Sequence, residues 1–171
     1  NLVSRGDVDL AKVYKFKYGK AQFAGIPIIA ANMDTTGTIE MHKAFTHHRM
    51  SVAFHKHYKN DELIPVFNDD YVYPMFNATG ITQKNHTNLM DFVDGLENDL
   101  QYLCVDVANG YQQALVDYIK KLRTLPQFTN TVIMAGNVVT SDMTEALIFA
   151  GADIVKIGIG PGSVCTTRVK T

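Results

Sequence analysis

Tyr102-Leu103-Cys104-Val105-Asp106-Val107-Ala108-Asn109-Gly110 begins as an unbroken apolar run and ends in a carboxylate, an amide and a glycine. An apolar run without polar alternation is what a strand buried on both faces requires, and parallel sheets supply that environment. The same grammar recurs on either side. Pro27-Ile28-Ile29-Ala30-Ala31 leads into Asn32 and Asp34, and Ser51-Val52-Ala53-Phe54 into His55-Lys56-His57-Tyr58. Pro74-Met75-Phe76-Asn77-Ala78 leads into Thr79-Gly80, and Thr131-Val132-Ile133-Met134-Ala135 into Gly136-Asn137. Asp153-Ile154-Val155-Lys156-Ile157 leads into a glycine-rich loop.

Segments of helical spacing lie between these runs. They cover 38–49, with Ile39, Ala44 and Phe45 facing inward, then 61–67, then 85–96, with Leu89, Phe92, Val93 and Leu96 on one face. Two more cover 111–122, with Ala114, Leu115, Tyr118, Ile119 and Leu122, and 142–150, capped by Thr140 or Ser141 and closed by Gly151. Six βα-like units at spacings of roughly 23–30 residues fit a TIM-type barrel or a doubly wound sheet. In a barrel, the residues that follow the strands share one rim; in a doubly wound sheet only those at the switch point meet. Polar residues after nearly every strand therefore favour the α/β TIM (β/α)8 barrel, of which the chain holds about the first six units. The sequence begins at Asn1 rather than Met, and Thr171 falls inside a loop of functional character. We expect a single catalytic barrel domain over 1–171, incomplete on its C-terminal side.

A chain of 171 residues can bury a real core. Sixteen basic and 17 acidic residues leave a net charge of −1, which offers no basic surface for nucleic acid or membrane headgroups. No signal-peptide pattern stands at the N-terminus, and no apolar run is long enough for a bilayer. Two cysteines, Cys104 and Cys165, are too few for a disulfide framework, and the expectation is a reduced, cytoplasmic protein. Cys104, inside an apolar strand, reads as core. His42, His47, His48, His55 and His57 lack zinc-like spacing, and His55 and His57 would point to opposite faces if their strand continued.

The chemistry concentrates in Gly158-Ile159-Gly160-Pro161-Gly162-Ser163-Val164-Cys165-Thr166-Thr167-Arg168. Alternating glycines let a backbone approach a ligand, and successive amides can cradle a phosphate. A thiol three residues beyond the last glycine is a candidate nucleophile, set against the plainer reading of a buried thiol. Phosphate cradle and thiol together suggest covalent chemistry on a phosphorylated substrate. An aspartate ending an apolar strand, as Asp106 does, is costly unless solvated or paired, which favours a site role.

Five segments together resemble the family of inosine monophosphate dehydrogenase and guanosine monophosphate reductase. They are Ala31-Asn32-Met33-Asp34-Thr35, His55-Lys56-His57-Tyr58, Val105-Asp106-Val107-Ala108-Asn109-Gly110-Tyr111, Met134-Ala135-Gly136-Asn137-Val138-Val139-Thr140 and the glycine-cysteine loop just quoted. The first three look like the reductase branch. The short spacing between Tyr58 and the third strand leaves no room for the regulatory module that dehydrogenases of the family usually carry. The resemblance implies NADPH-dependent reductive deamination of GMP to IMP with release of ammonia, a step of purine salvage. The alternative is NAD-dependent oxidation of IMP to XMP.

Site roles follow from the same resemblance. Cys165 attacks purine C2 to form a thioimidate, and Thr167 relays a proton with a glutamate expected beyond Thr171. Ser163 grips the nucleotide phosphate, and Asn137 lines the substrate cleft. Lys56, Asp106, Val107, Ala108, Ile159, Gly160, Ser4 and Arg5 fall to NADPH. Carbonyls of Gly160, Gly162 and Cys165, with Arg168 close by, fall to potassium. A homotetramer is implied as well.

Overall fold

The computed structural model describes residues 4–69 and 73–160. Among them an antiparallel hairpin pairs β1 (Lys12–Lys15) with β2 (Gln22–Gly25). A parallel sheet follows, built in chain order from β3 (Ile29–Ala30), β4 (Ser51–Ala53), β5 (Met75–Thr79), β6 (Tyr102–Asp106), β7 (Val132–Val138) and β8 (Ile154–Ile157). Helices α1 (Ile39–Thr46), α2 (Asn60–Asn68), α3 (Gln83–Asp94), α4 (Gln113–Thr124) and α5 (Ser141–Ala150) alternate with these strands. All six expected strands form, in the order a barrel demands. The sheet is curled: Lys156 on β8 reaches Asn32, just past β3, at 2.6 Å, although these strands stand at opposite ends of the sheet order.

Strand alternation divides the core in two. Val52, Met75, Leu103, Val105, Ile133 and Ala135 pack with the helices in the larger cluster. Ala53, Phe76, Ala78, Tyr102, Cys104, Val132 and Met134 form the second, on the concave face. Both strand faces are therefore covered, which is why the runs read as continuously apolar. Cys104 is fully buried, and burial pushes its thiol up to about 12.

Local chemistry sets the helix ends. Thr38, Thr82 and Thr140 accept hydrogen bonds from the amides of Met41, Asn85 and Met143 and so start α1, α3 and α5. Helix α4 begins at Gln113, later than its apolar spacing suggests, because Asn109 Oδ1 takes the Tyr111 amide at 3.0 Å in a turn. Gly151 closes α5 with φ 117°, its amide donating to the Leu147 and Ile148 carbonyls.

Two inward assignments do not hold: Ala44 and Ala114 are exposed, and His42 and Val116 are buried in their helices instead. Alanine carries too little apolar area to fix the phase of a helix. The hairpin carries no apolar run or clean alternation, since β1 is Val13 and Tyr14 flanked by two lysines. It packs at the strand starts, the end opposite the polar rim. Phe16 meets Tyr102 edge-on, Tyr102 Oη donates to the Gln22 carbonyl at 3.1 Å, and the Lys20 amide donates to the Asn130 carbonyl at 2.9 Å.

His42 has a measurable consequence. Its ring is 1% exposed and packs on Phe54, with centroids 5.9 Å apart. Burial lowers it from 6.5 to about 4. The unfolded chain then binds a proton near pH 6.5 that the folded chain refuses. Stability from this group is whole above pH 6.5 and is lost as pH falls towards 4, by on the order of 3 kcal/mol. Urea unfolding of His42→Leu should show a shallower fall in midpoint between pH 7 and 4.5 than the parent protein.

Candidate active site

The strand ends gather the polar residues on one rim. Backbone hydrogen bonds join the ends of β6 and β7 there. The Val107 amide donates to the Gly136 carbonyl at 2.8 Å, the Asn137 amide to the Val107 carbonyl at 3.0 Å, and the Gly110 amide to the Asn137 carbonyl at 2.7 Å. The segment Asp106-Val107-Ala108 and Asn137 are thereby held against each other. Val107 is half-buried and Ala108 exposed. Asn137 Oδ1 is a buried acceptor with no hydrogen-bond partner, an atom that a bound donor would satisfy.

Asp106 is paired rather than free. Lys156 Nζ donates to its Oδ1, and the same ammonium donates to Asn32 Oδ1. Neither Lys156 nor the side chain of Asn32 is among the site residues expected from the sequence. The available signal was a lysine inside the otherwise apolar strand Ile154-Val155-Lys156-Ile157.

The His55-Lys56-His57-Tyr58 loop is braced on the preceding βα loop. The His55 amide donates to the Gly37 carbonyl at 3.0 Å, and Tyr58 Oη accepts the Ile39 amide at the start of α1 at 3.2 Å. The His55 ring stacks on Tyr58 with centroids 4.1 Å apart. Its Nε2 lies 3.9 Å from Asp34, and its Nδ1 accepts the His57 amide at 3.3 Å. The strand does not continue to these histidines: it ends at Ala53, the chain turns, and the His55 and His57 rings lie 5.8 Å apart. This bracing leaves Lys56 exposed on a fixed loop, able to meet an anionic group such as a cofactor phosphate.

The remaining expected site residues divide in two. Ser4 and Arg5 sit in an exposed 3-10 turn, Arg5–Asp7, capped by Ser4 itself; no described contact brings them to the rim. Ile159 and Gly160 are half-buried beyond β8, with φ 55° at Gly160. Gly162, Ser163, Cys165, Thr167 and Arg168 lie outside the described residues, so three of the four potassium assignments do too. Among the described residues no group of three or more His, Cys, Asp or Glu could hold a metal ion, and no helix is long and apolar enough to cross a membrane.

A parallel βα sheet curled into part of a barrel, with its polar and charged residues at the strand ends, defines an enzyme-type TIM-barrel scaffold. The family described as IMP dehydrogenase / GMP reductase domain matches residues 14–171. The chain belongs to this family. It is 47% identical over 173 residues to a GMP reductase of Photobacterium profundum, covering 99% of this chain and 49% of that protein. It is 45% identical over 174 residues to a GMP reductase of Onchocerca volvulus, covering 99% of this chain and 47% of that protein. The chain thus spans about half the length of the curated relatives it matches.

Among solved structures, an inosine 5′-monophosphate dehydrogenase from Legionella pneumophila superposes with a TM-score of 0.78 at 32% identity, over 99% of this chain and 50% of that one. A Trypanosoma brucei GMP reductase in complex with guanosine 5′-triphosphate superposes with a TM-score of 0.50 at 35% identity, over 57% of this chain and 22% of that one.

Proposed function

We propose that the intact protein is a GMP reductase: GMP, NADPH and two protons give IMP, ammonium and NADP⁺. The observation that carries this is the 45–47% identity, over 99% of the chain, to relatives named GMP reductase. The single catalytic barrel domain, the cytoplasmic setting, a homotetramer and a place in purine salvage belong to the same reading.

Displacing an amino group from an aromatic carbon is hard in one step, and a covalent intermediate divides it. The Cys165 thiolate adds to C2 of GMP. The C2–N bond breaks and ammonia leaves, with Thr167 and a glutamate partner carrying protons, and a thioimidate remains. Bound NADPH supplies the hydride that C2 then takes up. The C2–S bond breaks, and the thiolate returns with IMP as product. Ser163 and the amides around Gly162 hold the nucleotide phosphate throughout.

The described residues fit the dinucleotide at two places. Lys56 offers an exposed ammonium on a braced loop, and Asn137 Oδ1 is an unfilled acceptor beside Asp106-Val107-Ala108. For potassium, the proposed ligands are the backbone carbonyls of Gly160, Gly162 and Cys165, together with Arg168.

The dehydrogenase reading rests on one observation, the close superposition on the Legionella enzyme. Identity to that protein is lower, 32%. Assaying the intact protein with each nucleotide and each cofactor separates the two. Ammonia release with oxidation of NADPH is expected from GMP. Formation of XMP from IMP and NAD⁺, with no turnover of GMP, would overturn the proposal.

A further inference from the structure

Three residues on the concave face stand in one cross-strand row. Asp106 on β6 is in register with Gly136 on β7, and Gly136 with Lys156 on β8. Strands β6 and β8 are separated by two strand spacings, roughly 10 Å, so their side chains meet only by crossing β7. Gly136 leaves that crossing open. A Cβ at this position would lie 2.6 Å from Lys156 Cβ and 2.6 Å from its carbonyl oxygen. Across the gap the Lys156 ammonium donates to Asp106 and also to Asn32 at 2.6 Å.

We propose that Lys156 is a positioning residue: reaching over the side-chain-free position at Gly136, it fixes Asp106 and Asn32 for binding of the nicotinamide cofactor. An ammonium carries three donors on a flexible stem, so one lysine can serve two acceptors on different strands. The pair is largely withdrawn from solvent, with side chains 21% and 22% exposed, which separates it from surface pairs that hold no geometry. Carboxylate Oδ1 is occupied by the lysine, so Oδ2 is the atom left to a ligand. At Asn32 the lysine takes the carbonyl oxygen and so turns the amide –NH₂ away from itself. Lys156 also links β8 to Asn32, just past β3, across the concave face.

This inference rests on the proposed GMP reductase reading for the identity of the ligand. Its test uses the intact protein as Lys156→Met, Lys156→Arg and the double variant Asp106→Asn/Lys156→Met. NADPH binding, read by the fluorescence of its nicotinamide, should weaken roughly ten- to hundredfold in Lys156→Met, as loss of orientation around a site does. The KM for GMP should stay near the parent value. Lys156→Arg should recover most of the loss, and adding Asp106→Asn to Lys156→Met should cost little more. A parent protein that binds NADPH but does not turn over GMP sinks the functional reading alone. Unchanged NADPH binding in Lys156→Met sinks this inference alone. Equal loss of GMP and NADPH affinity with a lowered melting temperature also overturns it, since that pattern marks a purely structural lysine. A parent protein that binds no NADPH overturns both.

Discussion

Replacing Cys165 by serine in the intact protein is expected to lower GMP turnover by about a thousandfold or more, as loss of a covalent nucleophile does, with GMP binding retained. A thiolate is both more nucleophilic and far more available near neutral pH than an alkoxide. Serine keeps the shape and loses the reacting atom. A reaction that proceeded by direct hydride attack on GMP would barely register the change. The chain provides its own control in Cys104. That thiol is completely buried, with burial pushing it up to about 12, so it is protonated and out of reach at working pH. Iodoacetamide should label Cys165 and spare Cys104, and GMP should protect the labelled thiol. Cys104→Ala should keep GMP turnover within a few-fold. Undiminished ammonia release from Cys165→Ser would remove the covalent step from the mechanism.

The sequence made the parallel sheet legible because both faces of each strand are covered, by helices outside and by the concave cluster inside. Burial on two sides demands long apolar runs, and apolar runs are visible in a string of letters. Helix ends marked by threonine caps were close to visible as well, as at Thr140. The hairpin was hidden because only Phe23 and Gly25 of its eight strand residues are buried. Its place is fixed by bonds to distant segments, which leave no local periodicity. At the rim, the motif around Asp106 could be read, but its partner could not. Asp106 and Lys156 are 50 residues apart and meet only because Gly136 stands between them in register. Register is a property of the folded sheet. The braced loop at His55 likewise depends on a strand stopping at Ala53, which the apolar run through Phe54 conceals.

Asp153→Asn is expected to destabilise the protein by about 3–5 kcal/mol, the range for breaking a buried ion pair from one side. The Asp153 carboxylate is completely buried and accepts from four separate groups. Oδ1 takes the Tyr18 amide at 2.8 Å and the Gly19 amide at 3.2 Å. Oδ2 takes Arg123 Nη2 at 2.8 Å and the Ile133 amide at 3.1 Å. Asparagine is nearly isosteric, yet neither of its orientations fits. With –NH₂ on one side it faces the Tyr18 and Gly19 amides; flipped, it faces Arg123 and Ile133. Either way a donor opposes two donors in a site closed to water. Arg123 is tied down in turn by the carbonyls of Gly151, Phe128 and Thr131, at 2.7–2.9 Å. Burial pulls its guanidinium below the ordinary value, and Asp153 acts in the opposite sense, so removing the carboxylate leaves the cation unsupported. The damage should spread through three elements, because these two side chains join the hairpin loop, α4 and the entry to β8. Hydrogen exchange should therefore quicken first at the Tyr18 and Gly19 amides, with urea unfolding reporting the whole loss. Arg123→Met should cost a similar amount, and the double variant less than the sum of the two, since each single change already strands the other's partner. An unfolding free energy for Asp153→Asn within about 1 kcal/mol of the parent protein would show that the surrounding backbone amides suffice without the charge.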